Sequence, residues 1–133
     1  RSEAINVYRQ LAEKQPENAI ALNNLAYLEH QEGMLDAAEE HARQALEIVP
    51  QAPEIADTLA QVLIDKGETE DAKAIYDSVM SQQVRSDEIY LNYIELLLKM
   101  DLTPLAKRRL ADRIFDAADS KARVAELEQQ YNL

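Results

Sequence analysis

The chain has 133 residues, of which 47% are apolar and 29% charged, the balance of a folded protein rather than a disordered one. Its formal net charge of −11 excludes a nucleic-acid partner, because phosphate binding needs a concentrated basic surface. Cys is absent, which removes disulfides, thiolate catalysis and Cys-based metal sites.

Gly occurs twice and Pro four times, so long loops are not expected. Ala, Leu, Glu and Gln dominate while β-branched residues are sparse, which favours helix over sheet. The first predicted helix covers residues 3–15, with Ser2 as its N-cap and Glu3 in its first turn. The second covers 19–32. Its Leu22, Leu25, Ala26 and Glu29 fall at i, i+3, i+4 and i+7, one helical face. Gly33 stops it, since Gly accepts the left-handed conformation of a C-terminal cap. The third helix, 35–49, carries a stripe of Ala38, Ala42 and Ala45, where two helix backbones can approach closely, and Pro50 ends it. Helices over 53–66 and 69–82 repeat the design, with Gly67 between them. A helix over 87–100 follows, capped by Ser86, with Asp101 in place of the turn glycine. Thr103 and Pro104 start the next, over 104–117, as N-cap and first helical residue. Arg113 stands there where the second unit has the small Ala45, so the stack is expected to end. A last helix, 120–131, offers Ala122, Ala125 and Tyr131 on one face as a cap.

Sliding the sequence against itself by 34 residues aligns these parts. Ala4, Ala38, Ala72 and Ala106 share a column, as do Leu25, Leu59 and Tyr93, and Ala26, Ala60 and Ile94. The unit is helix, tight turn, helix, short loop. With Leu22, Leu25, Ala26, Gly33, Ala38, Ala42, Ala45 and Pro50 in register, the pattern resembles the tetratricopeptide (TPR) repeat. The resemblance implies an all-α fold: an α-solenoid of antiparallel helix pairs wound as a right-handed superhelix, about eight helices in all. The array divides into a half repeat (3–16), two repeats (19–52 and 53–86), a degenerate repeat (87–118) and a capping helix (119–133). The chain opens at Arg1 without Met or signal sequence, and is expected to be a fragment of a longer protein.

In TPR arrays the first helix of each pair lines the concave surface. The resemblance therefore places Asn23, Asn24, Tyr27 and Gln31 in a groove, followed by Glu54, Asp57, Thr58, Gln61 and Asp65, then Glu88, Leu91, Asn92 and Glu95. The column Asn24, Thr58, Asn92 keeps a short hydrogen-bonding side chain at each step, and an Asn amide can both donate to and accept from a peptide backbone. The alternative is a solvated polar face without a ligand. Some TPR domains clamp a peptide carboxylate with basic groove residues. Glu54 and Thr58 stand at the matching places with Asp57 beside them, so an acidic groove for a basic or neutral protein or peptide is expected instead. Residues 1–98 hold 7 basic and 19 acidic side chains, whereas 99–133 hold 7 and 6.

No Gly-rich phosphate loop and no nucleophile elbow occur, and carboxylates are not placed as an acid–base pair. The chain is read as non-catalytic, with no cofactor. His30 and His41 sit on different helices without a second His at i+4, so no metal site is expected and both are read as surface residues. No apolar run is long enough to span a membrane; "YIELLLKM" is broken by Glu95 and Lys99. Tyr8, Tyr76 and Tyr90 fall in core columns. Glu29 shares a column with Leu63 and Leu97, so it should be partly exposed or paired with a base such as Arg43.

The reading is therefore a protein-interaction scaffold. The alternative is a spacer or homo-oligomerisation segment of a larger envelope or export protein or of an enzyme, with a homodimer through the uncovered first helix. "LNNLAYL" and "PEIADTLAQVLIDKGETEDA" also resemble the last repeats of bacterial TPR lipoproteins of exopolysaccharide and exosortase systems, which read NNLAWL and DTLGW. Tyr27 replaces Trp and Ala60 replaces Gly. That resemblance implies the periplasm.

Overall fold

A computed structural model describes residues 2–133, and it divides into two compact units, the first ending at Gln82 and the second spanning Gln83–Leu133. Unit 1 contains α1 (Ser2–Lys14), α2 (Ala19–Gln31), α3 (Leu35–Ile48), α4 (Pro53–Asp65) and α5 (Thr69–Met80). Unit 2 contains α6 (Asp87–Lys99), α7 (Thr103–Ala111) and α8 (Ala118–Gln130). These eight helices are the only regular elements among the described residues, and the fold is the expected all-α helical repeat.

The turns follow from backbone chemistry. Gly33 and Gly67 adopt φ of 77° and 82°. At each, the N–H of the next residue reaches the carbonyl five positions back, Met34 to Glu29 and Glu68 to Leu63, both at 2.8 Å. This closes the last helical turn and satisfies carbonyls a helix end leaves orphaned. A Cβ at either glycine would meet nothing within 4 Å, so the requirement is for the dihedral alone. Asp101 does the same work at φ 60°, with Leu102 N–H donating to Leu97 O at 2.9 Å. The departure from Gly thus leaves the turn geometry intact.

Helix starts agree in part with the sequence reading. Ser86 caps α6 by accepting from Ile89 N, and Asn18 caps α2 by accepting from Ala21 N. Thr103 is not a cap: α7 already begins there, Leu102 holds the cap position, and Pro104 lies in the first turn. Ser2 is likewise already helical, and Arg1 lies outside the described residues.

Consecutive helices of unit 1 pack as hairpins, and α2 also touches α4. The small-residue stripe explains the close approach: Ala38, Ala42 and Ala45 are fully buried against α2 and α4, as are Ala56 and Ala60 on α4. A bulkier side chain at Ala42 would overpack this seam, at a cost of about 1–3 kcal/mol. Ala19, Leu22, Ala45 and Ile55 form one core cluster, flanked by Ala12, Leu46, Ile48 and Ala52. Lys66, just past α4, ties it to α3 through Glu39 at 2.6 Å and Asp36 at 2.9 Å.

Several expectations about side chains need correction. Glu29 is neither exposed nor paired with Arg43. It is 1% exposed, and its Oε1 lies 2.6 Å from His41 Nδ1, while Arg43 pairs with Glu39 on its own helix. A carboxylate in a core column survives because an imidazole from the facing helix replaces its lost water. The two histidines are accordingly not loose surface groups: both are half-buried, and His30 Nε2 meets Asp65 Oδ2 at 2.5 Å across α2 and α4. The tyrosines differ among themselves: Tyr76 is fully buried, whereas Tyr8 and Tyr90 are half-buried.

Unit 2 supplies two further corrections. Helix α7 ends at Ala111, six residues before the expected end. Arg113 instead turns back onto the start of α6. It donates Nε to Asp87 Oδ1 at 2.9 Å, one Nη to Val84 O at 2.6 Å and the other to Arg85 O at 2.9 Å. Its guanidinium lies 4.6 Å from the Tyr90 ring centroid and 6.0 Å from that of Phe115. Several charge-assisted bonds outweigh one more helical turn. Helix α8 packs on α6 through a different face from the one expected: Leu127 is buried and Arg123 and Val124 are half-buried, while Ala122 and Ala125 face solvent.

Candidate interaction face

The groove candidates of unit 1 lie on α2 and α4, which touch each other. On α2, the Asn18 cap sets the helical phase, so that Ile20, Asn23, Asn24 and Tyr27 follow at i, i+3, i+4 and i+7 on one side. Ile20 is 74% exposed and Tyr27 51%, unusual values for large apolar side chains that recur on one stripe. Asn23 and Asn24 lie half-buried between them. The Asn23 side-chain oxygen is buried and has no hydrogen-bond partner among the described residues, an acceptor left unpaired at a cost that a bound donor would remove.

The α4 side is acidic and partly pre-set. Glu54 is exposed. The Tyr76 hydroxyl, rising from the core of the α4–α5 hairpin, donates to Asp57 Oδ1 at 2.5 Å and accepts from Gln61 Nε2 at 2.8 Å. Those two groove candidates are thus held in fixed orientation by a buried residue. Thr58 is buried and its hydroxyl donates to the Glu54 carbonyl at 3.1 Å, so its hydroxyl proton is already committed. Gln31 and Asp65 are exposed, the latter beside His30.

The corresponding residues of unit 2 lie on α6. Glu88 is exposed, Leu91 buried, and Asn92 and Glu95 half-buried. Arg123 of α8 lies across them, donating to Asn92 Oδ1 at 2.8 Å, Glu95 Oε1 at 3.2 Å and the Glu88 carbonyl at 3.5 Å. A guanidinium therefore already occupies this face of α6. Burial on its own would raise the Glu95 carboxyl, but hydrogen bonds from Lys99 and Arg123 hold it below its ordinary value. Asp87 is also held low, by the Ser120 hydroxyl first and then by Arg113, against burial.

Both carboxylates have folded-state pKa values below their ordinary 3.8 (Asp87) and 4.5 (Glu95). The unfolded chain then binds more protons on acidification, so their stabilisation is complete above these values and is lost as pH falls through the lower folded ones. Protection of the α6 and α8 amides, measured relative to their intrinsic exchange rates at each pH, should fall as pH drops below about 4.5. Combining Asp87→Asn with Glu95→Gln should flatten that part of the profile. An unchanged profile in the double variant would contradict the assignment.

Among the described residues no group of three or more His, Asp or Glu is placed to hold a metal ion. No helix among them is long and apolar enough to cross a membrane. Sequence reasoning missed Ile20. The 34-residue register aligns it with Glu54 and Glu88, both exposed, so the signal was an apolar residue in an otherwise charged surface column.

Two family models, each described as tetratricopeptide repeat, match residues 1–53 and 29–87. The chain is a TPR protein. Solved structures share its fold. The crystal structure of YrrB, described as a TPR protein with an unusual peptide-binding site, superposes with a TM-score of 0.70 at 21% identity, over 79% of this chain and 54% of that one. PilF of Pseudomonas aeruginosa gives 0.72 at 18% identity, over 94% and 59%. A TPR protein from Parabacteroides merdae gives 0.75 at 19%, over 93% and 51%. The chain thus spans between about half and three-fifths of the length of these three. No curated protein sequence matches it.

Proposed function

We propose that this TPR segment is a non-catalytic scaffold whose α2–α4 face captures a basic or neutral peptide or protein segment. The observation that carries the reading is the exposed Ile20–Tyr27 stripe enclosing the unpartnered Asn23 oxygen. Carboxylates at Glu54, Asp57 and Asp65 stand on α4, the helix that touches α2. Apolar side chains of the partner would lie on Ile20 and Tyr27, and a partner N–H would reach Asn23 or Asn24. Glu54 would favour Lys or Arg in the partner, with Asp57 and Gln61 shaping the floor. Thr58 contributes packing. In unit 2, Glu88 and Asn92 are groove candidates of the same kind, with Arg123 as resident cation. The described peptide-binding site of YrrB supports a peptide as ligand class.

Fluorescence anisotropy with matched peptide pools, one Lys- and Arg-rich and one Asp- and Glu-rich, tests this. Basic peptides should bind roughly tenfold more tightly. Tyr27→Ala should weaken them by about 5–30-fold, and Glu54→Lys should reverse the charge preference. Equal affinity for both pools in wild type and variants would sink the proposal.

A second reading, a spacer or oligomerisation segment, draws on α1. Its Val7 is 62% exposed, and Ala4, Tyr8 and Leu11 are only half-buried where their column partners Ala38, Ala42 and Ala45 are fully buried. In this reading α1 meets another helix, from a second copy or a longer parent protein. The resemblance of "LNNLAYL" to exopolysaccharide-associated lipoproteins supports a bacterial periplasmic setting for either reading.

A further inference from the structure

Unit 2 contains an open cleft that the peptide-capture reading does not use. In unit 1, α3 and α4 pack closely across Ala45 and Ile55. In unit 2 the comparable pair, α7 and α8, makes no such close backbone approach. Helix α7 stops at Ala111, and Arg113 draws the following segment onto α6. What is left is an open cleft of about 270 Å³ whose walls include Leu110, Ala111, Phe115, Val124 and Leu133. Ile114, the chain neighbour of Phe115 in that wall, is 84% exposed, the most exposed of the large apolar residues described.

The charges at the rim say what fits. Lys107 stands on the α7 wall and Glu128 on the α8 wall. Both are exposed, and neither forms an ion pair among the described residues. A two-fold axis running along the cleft sets the α7 wall of one copy against the α8 wall of the other. Each Lys107 then faces the partner's Glu128. An axis running across the cleft would instead oppose like charges. Residues 99–133 carry 7 basic and 6 acidic side chains, against 7 and 19 in the rest. Two copies of a protein with net charge −11 meet with least repulsion here.

We propose that this protein self-associates through unit 2 as a two-fold dimer. Ile114 of each copy seats in the α7–α8 cleft of the other, and reciprocal Lys107–Glu128 pairs close the rims. An isologous contact needs one patch that carries both a knob and a socket, and this patch does.

Sedimentation equilibrium over a wide concentration range tests it, with helical content by circular dichroism as the folding control. Wild type should populate a dimer. Ile114→Asp should weaken it by at least about a hundredfold, at unchanged helicity. Lys107→Glu should weaken it roughly tenfold. The swap Lys107→Glu with Glu128→Lys should restore it, because a structural defect would not be rescued by exchanging the two charges. A wild-type monomer at every concentration would overturn the proposal. So would a dimer that survives Ile114→Asp but dissociates with Val7→Asp, which would place the contact on α1. Peptide binding at α2 and α4 is read separately, so either result can stand without the other.

Discussion

His41→Ala is expected to destabilise unit 1 by about 2–3 kcal/mol, more than its half-exposed position suggests. The cost falls on Glu29. That carboxylate is 1% exposed and has His41 Nδ1 at 2.6 Å. Removing the imidazole leaves a charge in the seam between α2 and α3 with its close partner gone. Glu29→Leu should behave differently. Leu63 and Leu97 hold the same column in the following repeats and are fully buried, so leucine fits the seam, and the change should fall within about 1 kcal/mol of wild type. In that background His41→Ala should cost almost nothing. Urea unfolding of the four proteins measures the coupling, expected at or above about 1.5 kcal/mol. Additive effects would show that the pair is incidental to the fold.

The second large effect is expected at Arg113. Its guanidinium bonds Asp87 and the carbonyls of Val84 and Arg85, and stacks on Tyr90. Arg113→Ala should cost unit 2 about 2–4 kcal/mol, from unpaired acceptors and the lost ring contact together. It should also loosen α8, because Ser120 of α8 binds the other oxygen of Asp87 at 2.7 Å. Arg113→Lys should recover little of this. An ammonium cannot reproduce a planar fork reaching two carbonyls and a carboxylate at once. Hydrogen exchange resolved along α6 and α8 provides the readout. Wild-type protection in the lysine variant would mean that only the charge matters.

The pattern of what was legible in the sequence has a physical reason. The helices α2 to α5 could be bounded closely because their signals are local or strictly periodic. Gly33 and Gly67 supply positive φ, Pro53 opens α4, and the buried alanines repeat every 34 residues. Helix α7 could not be bounded, since residues 112–117 contain neither Gly nor Pro. Its end is decided by bonds from Arg113 to residues 26 to 29 positions away. The α8 face was misjudged for a related reason: Arg123 anchors it to Asn92 and Glu95, and that tie follows no helical period.

The same distinction holds at the candidate face. Register located Asn23, Asn24, Tyr27 and Glu54 on helices α2 and α4. It could not show that the Tyr76 hydroxyl holds Asp57 and Gln61, or that Thr58 spends its proton on the Glu54 carbonyl. Those bonds depend on side-chain reach across a hairpin, which a repeat alignment does not encode. Ile20 escaped because its column reads as charged in the next two repeats. Comparing columns for agreement finds the core. Comparing them for departures finds residues such as Ile20 and Glu29.

The most direct test of the central claim is to map amide chemical shifts while titrating an apolar peptide bearing Lys or Arg into the protein. Capture on the α2–α4 face predicts perturbations concentrated at Ile20, Asn23, Asn24, Tyr27 and Glu54, and their loss in Tyr27→Ala. Perturbations confined to the outward faces of α3 and α5, or surviving unchanged in Tyr27→Ala, would contradict it.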